Sequence, residues 1–152
     1  MNYLNMSESA QRRDERDREL TELYCEIYDR LRERRVKNLR LVALNIALAS
    51  GNPRYHVGYE RASTVVPMLL REDPRITFKS SVIREMWLDI TDKVRRLVSE
   101  GKLSMSQAID IVLEQCRASR FFLTPEHAWV IIKHQLRRMN IRRPYGRLTE
   151  KR

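Results

Sequence analysis

Residues 120–132, RFFLTPEHAWVII, and residues 54–66, RYHVGYERASTVV, are two versions of one device, an aromatic corner that turns into a helix. Laid over each other they align Arg120, Glu126 and Ala128 with Arg54, Glu60 and Ala62, and the match extends to Leu136 and Arg137 over Leu70 and Arg71. The segments ahead of each corner recur too. Ala108, Ile111 and Leu113 reproduce Ala43, Ile46 and Leu48 at an offset of 65, and the stripe Met86, Trp87, Ile90, Val94 reproduces Leu23, Tyr24, Ile27, Leu31 at an offset of 63. Three segments repeated in one order point to a duplicated plan of two tandem units.

The period within each segment is helical. Residues 15–36 put Leu20, Leu23, Tyr24, Ile27 and Leu31 on one stripe by steps of three and four. Residues 39–50 are apolar nearly all round, which makes a central helix, and Gly51, Asn52 and Pro53 stop it. After the corner, Ala62, Val65, Val66, Leu69 and Leu70 form the inner face of a third helix, which Pro67 kinks or ends and Asp73–Pro74 breaks. In the second half Ser80 or Ser81 can cap a helix over 82–99, and Gly101 ends it. Ser104 with Gln107 spells a capping box for 105–117, and Thr124–Pro125–Glu126 starts the last helix. Only four glycines and a charged fraction of 33% fit this helical reading.

The expected fold is therefore all-α, about six helices in two tandem three-helix units with helix-turn-helix-like corners. The expected divisions are a disordered or frayed 1–14, a first repeat 15–71, a linker 72–81, a second repeat 82–138 and a basic tail 139–152. Phe121, Phe122 and Leu123 are expected to bury the corner; base stacking would require them exposed. Trp129 is expected inside, against the helix carrying Trp87. The corner pattern R-aromatic-aromatic-aliphatic-x-x-E-x-A, with the phrase VIREMWLDI at 82–90, resembles uncharacterised small two-repeat helical proteins of Bacteroidota genomes and mobile elements. The resemblance covers about residues 20–138 and implies a helical fold with no activity attached.

The net charge of +10 is unevenly placed: +1 over residues 1–41, +2 over 42–100 and +7 over 101–152. The N-terminal run QRRDERDRELTELYCEIYDRLRERR alternates sign at helical spacing, so its charges read as structural i,i+4 pairs. The C-terminal excess reads as a contact surface for a polyanion. Its candidates are His127, Lys133, His134, Arg137 and Arg138 on the last helix, continued by Arg142, Arg143 and Arg147 in the tail.

Catalytic signatures are missing from the sequence. The histidines His56, His127 and His134 form no H-E-x-x-H and no i,i+4 pair, the cysteines Cys25 and Cys116 stand alone as buried, inert thiols, and no phosphate loop or G-x-S-x-G occurs. Asp89 and Asp92 read as a solvated edge beside Lys93, Arg95 and Arg96. The expectation is a non-enzymatic nucleic-acid-binding protein without cofactor or metal, with DNA favoured over RNA because no RNA module is recognisable. The alternative is a helical adaptor or structural protein, in one form homo-oligomeric and in one form phage- or mobile-element-related, whose basic tail meets an acidic protein partner. No apolar run suits a membrane, and the N-terminus lacks the apolar core of a secretion signal, so a cytoplasmic location is expected.

Overall fold

A computed structural model of the chain describes residues 8–139. All regular structure among them is helical: α1 (Glu8–Arg32), α2 (Leu39–Ser50), α3 (Tyr59–Leu70), α4 (Ser81–Gly101), α5 (Met105–Gln115) and α6 (Pro125–Arg138). Helix α1 begins at Glu8, inside the stretch expected to be frayed, and ends at Arg32, short of the predicted residue 36. Its early start has a tertiary cause. The Arg12 guanidinium is buried and donates to the Leu113 carbonyl at 2.9 Å while pairing with Glu8 and Glu114, which fixes the first turns.

The caps follow local chemistry where the sequence supplies it. Ser80 Oγ accepts from the Ile83 amide, Ser104 and Gln107 form both bonds of the capping box, and Thr124 Oγ1 accepts from the His127 amide. Helix α3 lacks a side-chain cap of its own at Gly58. Its free amides are satisfied from α1 instead: the Gly58 amide donates to Ser9 Oγ at 3.1 Å and the Tyr59 amide to Glu8 Oε1 at 3.3 Å. Pro67 lies inside α3, which continues past it to Leu70. At the end of α4 the left-handed residue is Lys102, at φ 53°, rather than Gly101.

The chain forms two compact units that are interleaved in sequence: residues 8–13 with 54–118, and residues 14–53 with 119–139. The helices thus do not group as consecutive triplets. In the first unit α3 and α5 pack together, each against α4; in the second α6 packs on α2 and on α1. The pairing of consecutive helices about each corner, expected from the helix-turn-helix reading, is replaced within the units by α3 with α5 and α2 with α6. The core of the second unit joins Leu20, Tyr24, Ala43, Leu44, Leu48, Phe121, Ile132 and Leu136. In the first unit Tyr55, Val65, Val66, Met86, Trp87, Ile90, Ile109 and Leu113 are buried.

Burial recurs along the chain at a nearly constant interval. Ala43, Leu44, Ala47 and Leu48 are buried, and so are Ala108, Ile109, Val112 and Leu113, 65 residues on; Ala62, Val65 and Val66 answer to Ala128, Ile131 and Ile132 at 66. For the long helices the burial pattern matches Leu20, Thr21, Tyr24 and Tyr28 with Met86, Trp87, Ile90 and Val94, also at 66, rather than at the 63 read from residue types. Ile46 and Ile111 do not hold equivalent core positions: Ile46 is 40% exposed and Ile111 half-buried.

Candidate nucleic-acid interface

Helix α6 presents two faces. Ala128, Trp129, Ile131, Ile132, Gln135 and Leu136 are buried, and Trp129 packs edge-on against Tyr24 of α1 at 5.8 Å between ring centroids. The indole is thus inside as expected, but its neighbour is Tyr24 of α1. The opposite face exposes Glu126, His127, Val130, His134, Arg137 and Arg138, with Lys133 half-buried at its edge. Four of the five candidate side chains in the described part of the site, His127, Lys133, His134 and Arg137, make no side-chain hydrogen bond or ion pair among the described residues. The fifth, Arg138, has its guanidinium 3.7 Å from the Asp14 carboxylate. Arg142, Arg143 and Arg147 lie outside the described residues.

Most cations elsewhere are engaged. On α1, Arg18 pairs with Asp14 at 3.7 Å, Arg30 with Glu26 and Arg32 with Asp29 at 3.9 Å; on α4, Asp92 takes Arg95 at 3.7 Å and Arg96 at 2.9 Å, each pair three or four residues apart. This is the lacing that alternating charge at helical spacing forecasts. Arg13, Arg34 and Arg35 of the N-terminal run are exceptions, exposed with no side-chain partner among the described residues; Arg13 lies on α1, and Arg34 and Arg35 lie past its end.

The corner residues give no stacking surface. Phe121, Phe122 and Leu123 are buried, and the Phe121 amide donates to the Leu48 carbonyl at 3.0 Å. Arg120 sits 5.2 Å over the Phe122 ring. A depression of about 420 Å³ beside the corner is lined by Asn45, Leu48, Ala49, Ser119, Arg120, Leu123 and Pro125, a set without an acid–base pair.

One polar cluster escaped the sequence reading. Asp89, read as a solvated edge, accepts from the Tyr55 hydroxyl, and Lys93 Nζ donates both to that hydroxyl and, at 3.0 Å, to the Arg117 carbonyl. Burial, then the hydrogen bond to Asp89, pushes the Tyr55 hydroxyl far above the ordinary phenol range, so it stays a donor. Residues this far apart in sequence leave no spacing signal by which the cluster could be found. Both cysteines are half-buried rather than buried, and unbonded to each other. Burial, helped by Asp29 and Glu22, raises the Cys25 thiol to about 11. No three His, Cys, Asp or Glu side chains among the described residues gather where they could hold a metal ion. No described helix is long and apolar enough to cross a membrane.

Against known proteins, the chain matches no family model, no curated protein and no solved structure.

Proposed function

We propose that the chain binds nucleic acid without catalysis, through the exposed face of α6 and the basic tail that follows it, with duplex DNA as the preferred form. The observation that carries this reading is the contrast in pairing: cations on α1 and α4 are largely neutralised by neighbours, whereas His127, Lys133, His134 and Arg137 share one face of α6 without a partner. Of these, Lys133 and Arg137 are unpaired cations that keep their attraction for phosphate, His127 and His134 add hydrogen-bonding groups beside them, and Val130, 59% exposed on the same face, suits contact with a thymine methyl in a major groove. The recurring burial pattern supports a second, structural reading: two related halves, each with its third helix packed on the first two helices of the other.

Binding to duplex DNA, single-stranded RNA and a polyanion control at several salt concentrations tests the function. Lys133→Gln and Arg137→Gln are expected each to lower the slope of log affinity against log salt by about 0.9. No affinity for any of the three at about 50 mM salt would overturn the reading. The adaptor alternative calls for a contiguous exposed apolar patch. Leu41 and Ile46, two of the large exposed apolar residues, stand about 140° apart around α2 and so share no face there.

A further inference from the structure

Between Arg32 and Leu39 the chain makes a turn, ERRVKN, in which Val36 is half-buried while Arg34, Arg35 and Lys37 are exposed. Those three cations are exposed and have no side-chain partner among the described residues; Glu33 is the acid in the turn, and the first turn of α2 contains none. Nearby, Arg32 is already engaged with Asp29, and Arg40 lies buried 5.8 Å from the Tyr28 ring. The turn therefore concentrates uncompensated positive charge. Its backbone does not explain the choice of residues, since Arg35 is held at φ 52°, a left-handed conformation that glycine occupies at least cost. Asn38, at φ 51°, is a residue type that tolerates this region.

The place of the turn in the second unit gives it a partner. Trp129 meets Tyr24, and Arg138 approaches Asp14, so α6 runs antiparallel to α1. From the Tyr24–Trp129 contact, α1 runs on about 12 Å to its C-terminus, while α6 extends about 6 Å back to its first residue. The turn thus lies at the end of the unit where α6 begins, and Arg137 lies at the end where α6 finishes. A 14-residue helix is about 21 Å long, enough to cross a major groove about 12 Å wide and leave cations beside both phosphate backbones.

We propose that Arg34, Arg35 and Lys37 form a second phosphate-binding site for nucleic acid, anchoring the backbone at the end of α6 opposite Arg137. The inference rests on the reading of α6 as a nucleic-acid interface and adds a contact to it. Phosphate contacts of this kind set register and affinity and do not read sequence.

The test is fluorescence anisotropy of the full chain with a labelled mixed-sequence duplex over a salt series. Three proteins are compared: the unaltered chain, Arg34→Gln/Arg35→Gln/Lys37→Gln, and Arg84→Gln/Arg95→Gln/Arg96→Gln, which removes the same charge from α4. The turn variant is expected to flatten the log–log salt slope by up to about 2.7, and the α4 variant to leave it unchanged. Arg34→Gln/Lys37→Gln, which leaves the left-handed Arg35 in place, should flatten it by up to about 1.8 and serves if the triple variant melts early. Equal slopes for the turn and α4 variants would overturn the inference while leaving the α6 reading intact. Failure of the unaltered chain to bind the duplex would overturn both. Loss of binding to anionic lipid vesicles with duplex binding retained would also overturn it, by assigning the turn to a membrane.

Discussion

At Gly51 the need for glycine is steric rather than conformational. Its φ of −75° suits any residue, but a Cβ there would stand 2.1 Å from Cε2 of Phe121, whose ring is buried against the end of α2. Gly51→Ala should cost about 3 kcal/mol in urea denaturation, and Phe121→Leu in the same chain should return part of it. The sequence marked Gly51 only as a helix stop, because a close approach by a ring 70 positions away leaves no local trace. Trp129 was easier to read: its place beside the core residue Ala128 put it inside, though the identity of its neighbour Tyr24 was not written in any spacing. Cys25 gives a chemical check at the same scale. Thiolate is the reactive form, and a rise from 9.0 to about 11 leaves about a hundredth of the ordinary thiolate at pH 8. Folded protein should therefore be alkylated at Cys25 roughly a hundredfold more slowly than urea-unfolded protein at that pH, the two rates converging as pH rises towards 11. Equal rates at pH 8 by peptide mass spectrometry would contradict the burial that raises the thiol.

Among the helices, caps written in adjacent residues were legible and caps supplied from elsewhere were not. The S-x-x-Q box at Ser104 and the Thr124 cap appear as spelled, because both partners lie within four residues. The start of α3 looked poorly capped at Gly58, and its true acceptors, Ser9 and Glu8, come from α1. Ser9→Ala should thus destabilise the chain by about 1 kcal/mol, comparable with Ser104→Ala, although Ser9 has no capping role in its own helix. Hydrogen exchange should show the added opening at the Gly58 amide, whose acceptor is Ser9 Oγ; unchanged protection there would refute the borrowed cap. The same physics explains the misplaced boundary of α1. Alternating charge reveals the helix, whereas its start depends on Arg12 reaching Leu113 and Glu114. Charge pairing was largely legible along α1 and α4 for the same reason as the local caps; exposed Arg13 departs from it within α1, and Arg34 and Arg35 have no helix face to pair on because α1 ends before them.

For the molecule as a whole, periodicity told which residues are covered and not which helix covers them. The stripes of α2, α3, α5 and α6 are buried much as read, yet α3 shares its unit with α4 and α5, and α6 shares its own with α1 and α2. Amphipathic faces of similar size and composition are interchangeable in a sequence, so consecutive triplets and exchanged third helices look alike before the chain folds. The interleaving has a consequence for how the protein is made. Synthesis releases α1 and α2 well before residues 119–139, which their unit also needs, so their apolar faces must wait while the ribosome makes the intervening segment. At about 5–20 residues per second that wait lasts several seconds, during which the faces of Tyr24 and Leu44 are open to chaperones or to a second nascent chain. Ribosome-bound chains stalled with residue 118 just outside the exit tunnel should resist protease over 54–118 and be cut within 14–53; release past residue 139 should protect both. Protection of 14–53 in the shorter chain would mean that α1 and α2 can close without α6. If they cannot, the emergence of α6 decides when α1 and α2 are safe.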